Sequence, residues 1–329
     1  MDNYDNLDYT SSSNRGGIDL ELLKEPEFVS LPSKGYFYSG RYKNIDKIKV
    51  NKISWEEENL LTTPSYYDNK TIRLELLKSL IVDKRFPIIE MPQIDVDAVL
   101  IWSYITLFGQ EYSIKTGCSA CEHKQQLNWH FSELLQPEYS LEVDDEIFKN
   151  SFFIANVEGY RFYLIPPPPF LVSEIEAYLI NTNKKKSHDF KSTATMLAAI
   201  KKLKYKNQEY NNYKEILTQL RETPISLQSL RELKKKIAEI DLQVSLDKDY
   251  NCESCGEDNY FKLTVGDTFF GLSNPADMIQ YREYASEAID FLTFWGKVDS
   301  ITAMKLPVST RKYKVWKTNE NLKILYPSK

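Results

Sequence analysis

Two Cys-x-x-Cys pairs, Cys118–Cys121 and Cys252–Cys255, hold every cysteine of this 329-residue chain. Each pair lies between alternating stretches of the kind that forms strands, so each is predicted to occupy a tight turn between two strands. Two such turns can supply the four sulfurs of a tetrahedral Zn²⁺ site, with no cysteine left over. Residues 122–251 separate the pairs, which predicts a subdomain inserted between the two halves of one zinc ribbon.

Other interpretations of the cysteines stay open. A redox Cys-x-x-Cys pair normally begins a helix, whose N-terminus lowers the thiol pKa, and neither pair has the pattern of a helix start. Disulfides are disfavoured because no secretory signal precedes the pairs. Four cysteines would close the ligand set, so the expected zinc is structural rather than catalytic. His123 and His130 could replace a cysteine, although the second pair already completes the set.

Charge and hydropathy argue against several classes of protein. The net charge of −5 and the pI of about 5.5 give no global reason to expect nucleic-acid binding. No apolar run approaches the ~20 residues of a membrane helix, and the expected setting is a reducing cytoplasm. Lysines crowd one region, which predicts either a basic patch for an acidic partner or, with few aromatic residues among them, a solvated helix face. These lysines are Lys184, Lys185, Lys186, Lys191, Lys201, Lys202, Lys204 and Lys206.

The predicted architecture is α+β: a zinc-ribbon-like β element formed by the two cysteine turns, with a largely helical insertion and a helical C-terminal region. It divides into four regions. They are a flexible arm at 1–25, a domain with the first cysteine turn at 26–138, a hairpin plus helical insertion at 139–240, and the second cysteine turn with C-terminal helices at 241–329.

Local patterns predict the individual elements. Ser54 and Glu57 form a capping box that begins a short helix, and an apolar helix over 95–109 is expected to be central. A hairpin over 152–168 turns at Glu158-Gly159, and 170–240 is predicted to be mostly helical. The C-terminal predictions are an N-cap at Asn274 with Pro275 at the first helical position, a long helix ending at Gly296, and a last helix after the segment LPVSTRKYKVW.

No catalytic or cofactor-binding set is found. The chain has no Gly-x-Gly-x-x-Gly, no phosphate-binding loop and no Gly-x-Ser-x-Gly. Glu56, Glu57 and Glu58 are consecutive, so they splay around a helix. Asp95 and Asp97 are placed at a helix start, where negative charge complements the helix dipole. The chain is therefore predicted not to be an enzyme.

Several short motifs follow one another along the chain in a distinctive order. The opening Leu-Pro-Ser-x-Gly is followed by a Glu-rich element, a Ser/Thr-Pro turn, an apolar helix ending at a glycine, and a cysteine turn. The C-terminal half contributes the second cysteine turn and a Leu-Pro-Val…Arg tail. This order resembles the baseplate hub and hub-assembly proteins of T-even-like contractile-tailed phages. The matching residues are Leu31, Pro32, Ser33, Gly35, Glu56, Glu57, Pro64, Ser65, Leu80, Ile81, Gly109, Tyr112, Cys118, Cys121, Leu306, Pro307, Val308 and Arg311. One departure is Glu122, which stands where the family usually has a glycine after the second cysteine.

The resemblance implies a structural or assembly role in the phage tail baseplate hub. The implied partners are other tail and baseplate proteins, with no membrane, and an oligomeric arrangement in the baseplate is left open. The implied location is the virion tail or the host cytoplasm during assembly. The alternatives are a zinc-ribbon accessory protein that works with nucleic acid and a metal-dependent hydrolase, which would need an open metal position.

Partner contacts are predicted for four stretches, since aromatic residues are enriched at interfaces. They are the arm, the 31–40 turn with Tyr36, Phe37 and Tyr38, the Phe269–Phe270 segment, and the tail at 306–316. Phe269 and Phe270 are expected to lie on a strand end, so that one packs inside while the other meets a partner or a neighbouring subdomain. The alternative is that the 275–295 helix covers both.

Overall fold

Helices and small antiparallel sheets make up the protein, as the α+β prediction requires. The computed structural model describes residues 25–131, 152–182, 190–240, 246–272 and 275–325. The predicted arm therefore lies outside the described residues except for Glu25, and so do Lys184, Lys185, Lys186 and Asn274. Among the described helices, none combines the length and apolar character of a membrane span.

The sheets are short and all their pairings are antiparallel. β1 pairs with β2, β3 with β4 and β9 with β10, and a four-stranded sheet has the order β5-β6-β7-β8. The strands are β1 Glu27–Ser30, β2 Lys47–Val50, β3 Glu111–Gly117, β4 Lys124–His130, β5 Phe153–Val157, β6 Tyr160–Leu164, β7 Ile200–Tyr205, β8 Gln208–Tyr210, β9 Leu246–Asn251 and β10 Asp258–Leu263.

Helices contribute most of the core. They are α1 Trp55–Leu61, α2 Pro64–Asp68, α3 Ile72–Leu80, α4 Gln93–Phe108, α5 Pro169–Thr182, α6 Phe190–Ala199, α7 Tyr213–Glu222, α8 Leu227–Glu239, α9 Pro275–Phe294, α10 Ser300–Lys305 and α11 Val308–Leu325. Single 3-10 turns are formed by Gly40–Tyr42 and Ile88–Glu90.

The larger core is built around α4, the helix predicted over 95–109. Every residue from Ile94 to Ile101 is buried, which agrees with a helix that is apolar on nearly all sides. Gly109 ends the helix with a φ of +103°, a conformation that glycine adopts without steric cost. The predicted capping box is also present: Glu57 accepts hydrogen bonds from Ser54 and from Ser79 Oγ, so it joins α1 to α3.

A second core lies between the four-stranded sheet and α5–α8. The hairpin at Glu158-Gly159 is confirmed, and so is the prediction that 170–240 is mostly helical, with the exception of 200–210. Those residues form β7 and β8, and β7 pairs with β6. The pairing satisfies the outer edge of the β5–β6 hairpin, which a helix could not do. The turn between the two strands has Lys206 at a φ of +55°.

Phe269 and Phe270 are both buried, with 1% and 5% of their surfaces exposed. Neither residue is left to meet a partner, and the expected strand end is a turn, so the two side chains are not divided between the core and an outer surface. They pack on the rings of Tyr104, Tyr112 and Phe131, with Tyr112 stacked on Phe269 at a centroid distance of 5.2 Å. The covering rings belong to α4 and the β3–β4 region, and Met278 of the 275–295 helix lies in the same buried cluster.

The 31–40 turn is also covered by its own fold. Phe37 and Tyr38 are 2% and 3% exposed; Phe37 packs with Ile94 and Ile165, and Tyr38 packs on Phe86. The prediction that Phe37 and Tyr38 meet a partner is therefore wrong, whereas Tyr36 is half-buried and its contact with a partner stays a prediction. The last helix differs from the prediction too: α11 begins at Val308, inside the segment expected to precede it.

Candidate metal centre

Each Cys-x-x-Cys pair lies in the turn of a two-stranded hairpin, and the two turns have the same hydrogen bonds. In the first, Cys118 N–H donates to the carbonyl of His123 at 2.9 Å and Glu122 N–H donates to the carbonyl of Cys118 at 3.1 Å. In the second, Cys252 N–H donates to Glu257 and Gly256 N–H donates to Cys252, both at 2.9 Å. We call these turns knuckle 1 (118–123) and knuckle 2 (252–257). Neither begins a helix, as predicted.

The four sulfurs converge on one point. All four lie within 4.8 Å of one another, and the closest pairs cross between the knuckles: Cys118 Sγ to Cys255 Sγ is 3.7 Å and Cys121 Sγ to Cys252 Sγ is 3.6 Å. A tetrahedron with Zn–S bonds of ~2.3 Å has sulfurs about 3.8 Å apart, whereas a disulfide needs a separation of about 2.05 Å. The predicted convergence is confirmed, and the spacing suits a shared tetrahedral ion.

Backbone N–H groups point at the first sulfur of each knuckle. Ala120 N–H donates to Cys118 Sγ at 3.3 Å, and Ser254 N–H donates to Cys252 Sγ at 3.4 Å. Such bonds favour a thiolate over a thiol. The N–H groups of Cys121 and Ala120, assisted by the Asn259 amide, lower the pKa of Cys118 to about 6. The arrangement therefore prepares sulfur in the form that binds metal.

The pKa of the Cys255 thiol is raised rather than lowered, because the four thiols crowd one another. The N–H of Glu257 lowers the pKa of Cys255, but the thiols of Cys121, Cys252 and Cys118, together with burial, raise it by more, to about 12. Four thiolates repel one another at these distances unless a cation lies between them. A divalent ion would displace the remaining protons, so metal binding at this site should release protons.

Both knuckles need one residue in the left-handed region, and it is the same position in each. Glu122 follows the second cysteine of knuckle 1 with a φ of +59°, and Gly256 follows that of knuckle 2 with a φ of +74°. Glycine adopts this conformation freely, whereas other L-residues are strained in it by about 1–2 kcal/mol. Glu122, the departure from the family pattern seen in the sequence, therefore strains knuckle 1 relative to a glycine at this position, although the two knuckles have the same shape.

Two amide side chains cross-link the knuckles reciprocally. Gln125, four residues beyond Cys121, accepts from the N–H of Glu253 at 3.0 Å and donates to the carbonyl of Asn251 at 3.2 Å. Asn259, four residues beyond Cys255, accepts from the N–H and hydroxyl of Ser119 at 3.0 and 2.9 Å. Each amide reaches the residue that follows the first cysteine of the opposite knuckle, so the centre has an approximate two-fold symmetry.

Sequence reasoning missed these two amides. Their equal offset from the last cysteine of each pair was the available signal, but nothing local shows that the side chains cross to the other hairpin. The site is half exposed: Cys118 and Cys252 are buried, while Cys121 and Cys255 are exposed. Among the described residues the metal-ligating group contains these four cysteines alone, so His123 and His130 are outside it.

A buried polar network explains the opening Leu-Pro-Ser-x-Gly motif. Ser33 donates to the Asp95 carboxylate through its N–H at 2.9 Å and its hydroxyl at 2.5 Å, and the Tyr38 hydroxyl donates at 2.8 Å. Burial raises the pKa of Asp95 to about 6, although these donors oppose the shift. Gly35 has a φ of +69°, and a Cβ there would collide with the backbone of Ile45. The motif therefore anchors the 31–40 turn to the start of α4.

A buried ion pair explains the arginine of the C-terminal tail. The Arg311 guanidinium contacts the Glu58 carboxylate, and the side chains of both residues are 3% exposed. Tyr281 also donates to Glu58 at 2.8 Å. The three residues join α1, α9 and α11, so Glu58 serves the structure and does not converge with Glu56 and Glu57, as predicted.

The described lysines of the lysine-rich region do not share one helix face, since Lys201, Lys202 and Lys204 lie on strand β7. Lys201 contacts Glu90, and Lys202 and Lys204 both contact Glu209 across β7 and β8. Carboxylates thus neutralise part of the charge that the sequence concentrates there.

Comparison with known proteins gives one match. The family model described as T4 bacteriophage base plate protein matches residues 25–271. The matched part contains most of the larger core, the insertion and both knuckles, and it ends before α9. No curated protein and no solved structure matches the chain.

Proposed function

Because the chain belongs to the T4 bacteriophage base plate protein family and so has a structural role in a phage baseplate, we propose that it works in the baseplate hub. It acts there as a hub component or as a factor that assembles the hub, through contacts with other tail proteins. The observation that carries the proposal is the family match, which includes both knuckles. The order of the hub-like motifs, from Leu31 to Cys121, supports the finer assignment.

We propose further that the four cysteines hold one structural Zn²⁺. Four sulfur ligands close a tetrahedral site and leave no position for water or substrate. The geometry favours zinc over oxygen-seeking ions such as Mg²⁺ or Ca²⁺, which prefer carboxylates and carbonyls. The ion would tie the β3–β4 hairpin to the β9–β10 hairpin, and so join the segments before and after the insertion.

The same site supports a structural rather than a catalytic role for the metal. A closed four-sulfur centre can neither polarise a carbonyl nor activate a water, which counts against the hydrolase alternative. The nucleic-acid alternative loses support because Lys201, Lys202 and Lys204 already contact carboxylates. The chain is proposed to act in the virion tail, or in the host cytoplasm while the tail is assembled.

An interrupted gene tests the hub assignment. Infection with phage that carry a nonsense codon in this gene should yield no complete baseplates by negative-stain electron microscopy, and a plasmid copy of the intact gene should restore them. Mass spectrometry of purified tails then separates the two forms of the proposal, since a component remains in the tail and an assembly factor does not. Complete baseplates without the protein would contradict both forms.

Metal analysis tests the zinc. The protein purified under reducing conditions should contain one zinc per chain, and Cys118→Ser or Cys252→Ser should lose it. Ser254→Ala is the matched control, since it changes knuckle 2 but keeps every sulfur and the N–H that points at Cys252. A folded protein with four titratable thiols and no metal, or one that contains iron, would contradict the assignment.

A further inference from the structure

Exposed apolar side chains are concentrated on the three C-terminal helices. Of the sixteen exposed large hydrophobic residues among the described ranges, ten lie on or directly beside α9, α10 and α11. They are Ile279, Tyr284, Phe294, Trp295, Ile301, Met304, Tyr313, Trp316, Ile324 and Leu325. Single exposed apolar residues are ordinary, but a concentration of this kind marks an interaction surface.

Helix α11 is buried only at its start, and beyond it Val315 packs against the small cluster of Ile289, Leu292, Ala303 and Leu306. Val308, Thr310 and Arg311 are buried, and Lys312 Nζ donates to the carbonyl of Leu107 at 2.8 Å. No residue from 312 to 325 is buried, a length of about 20 Å at 1.5 Å per residue. A helix with so little packing draws scant stability from its own chain, because most helical stability in proteins comes from tertiary contacts.

The two long helices carry opposite charge. On α9 the exposed residues include Asp277, Glu283, Glu287 and Asp290. Glu283, Glu287 and Asp290 are spaced by four and three residues, so they share one face, which ends at Phe294. The other helix, α11, carries Lys312, Lys314, Lys317 and Lys323 against the single acid Glu320.

Within the described ranges, most of these charges have no ion-pair partner. Among the described residues, the ion pairs that involve α9 or α11 are Arg311–Glu58 and Lys323–Glu320. The acidic face of α9 and Lys314 and Lys317 of α11 therefore remain available. Aromatic groups lie beside both: Tyr284 on α9, and on α11 the pair Tyr313 and Trp316, whose ring centroids are 5.8 Å apart.

We propose that the occupant of this surface is a second copy of the chain. The basic, aromatic face of α11 from one copy docks on the acidic face of α9 of the other, and the reverse contact forms at the same time. Both complementary surfaces are present on one chain, which is what a two-fold interface requires. Opposite charges across paired helices set the partner and the orientation, while Tyr313 and Trp316 supply the buried apolar anchors.

The proposal goes beyond the baseplate role and does not depend on it. The family match ends at residue 271, so α9, α10 and α11 lie outside the unit that the family model describes. Self-association would then be a property that these helices add to that unit.

Charge reversal tests the proposal in the full-length protein. Sedimentation equilibrium should give a dimer that weakens as salt is raised, because screening reduces attraction between exposed charges. Lys314→Glu with Lys317→Glu should raise the dissociation constant at least about tenfold, and so should Glu283→Lys with Glu287→Lys. In either double variant, like charges would face each other at both contacts.

A mixture of the two double variants provides the decisive experiment. In the mixed dimer each reversed helix faces an oppositely charged one, so association should return to within about threefold of the original protein. The matched control is Lys235→Glu with Lys236→Glu on α8, which makes the same charge change on an exposed surface elsewhere and should leave the dimer unchanged. Circular dichroism and zinc content of each variant verify folding.

Several results would overturn the proposal. One is a chain that stays monomeric at about 100 µM in low salt, and another is a dimer that both double variants leave unchanged. A third is a mixture that remains monomeric. A monomer that binds single-stranded DNA through Lys314 and Lys317 would instead assign the basic helix to nucleic acid.

Discussion

Knuckle 1 and knuckle 2 reach the same geometry with different residues. Both have the same two backbone hydrogen bonds, one N–H aimed at the first sulfur and one left-handed residue after the second cysteine. In knuckle 2 that residue is Gly256, which suits the conformation, whereas in knuckle 1 it is Glu122, which is strained. The comparison teaches that the shape is imposed from outside each turn, by the opposite knuckle and by the shared sulfur site.

Loss of one cysteine thiol should destabilise the two hairpins more than any other change, and the effect should be equal for a cysteine of knuckle 1 and one of knuckle 2. Cys118→Ser and Cys252→Ser both remove a ligand of the proposed shared ion, and a two-stranded hairpin alone is only marginally stable. Hydrogen exchange should become about a hundredfold faster in both hairpins, 111–130 and 246–263, while α3 and α4 stay protected. Loosening of only the mutated hairpin would show that the knuckles do not share a metal.

Removal of the cross-linking amides should have the next largest effect, and here the two sides should differ. Gln125 is buried and bonds two backbone groups, so Gln125→Ala should cost about 1–3 kcal/mol. Asn259 is half-buried and faces the exposed Ser119, so Asn259→Ala should cost about 1 kcal/mol. The loss in each variant is measured as a loss of zinc affinity, by competition with a chelator. Equal losses would show that burial does not distinguish the two amides.

A methyl group at Gly256 should weaken the site moderately. A Cβ there meets nothing within 4 Å, so Gly256→Ala adds strain without a collision and should cost about 1–2 kcal/mol. That is about a tenfold loss of zinc affinity. The matched control is Gly266→Ala, which also meets nothing within 4 Å but has no positive φ. Unchanged affinity in Gly256→Ala would mean that the left-handed conformation is not required.

Introduction of glycine in knuckle 1, by Glu122→Gly, should have the smallest effect, and it should stabilise the site rather than weaken it. Glu122→Gly relieves the strain at φ +59°, but the added flexibility of the unfolded chain offsets part of the gain. We expect a net stabilisation of about 0.5–1 kcal/mol, seen as slower exchange of the knuckle 1 amides and slightly tighter zinc binding. Glu122→Gln separates charge from conformation, since it keeps the strain. A loss of affinity in Glu122→Gly would show that the glutamate side chain supports the site.

Tertiary pairing accounts for the elements that sequence patterns missed. The segment 200–210 lies within a region predicted to be mostly helical, yet it forms β7 and β8 because β6 offers an open edge for pairing. The strand propensity of such a segment is weak beside the hydrogen bonds that the neighbouring strand supplies. Likewise, the side chains of Phe269 and Phe270 were expected to point to opposite faces only because the segment was assumed to be a strand. Their turn conformation, and the aromatic cluster that covers them, depend on residues far away in the chain.

By itself, the sequence determined what short-range physical chemistry controls. The capping box of Ser54 and Glu57, the apolar helix that ends at Gly109 and the hairpin turned at Glu158-Gly159 each depend on residues within one element. The convergence of the cysteines was also predictable, because two incomplete ligand pairs satisfy one tetrahedral ion. Only the tertiary structure decided how the pairs are held, through Gln125 and Asn259. It also decided which aromatic residues are buried, since contacts between distant segments leave no periodic trace in the sequence.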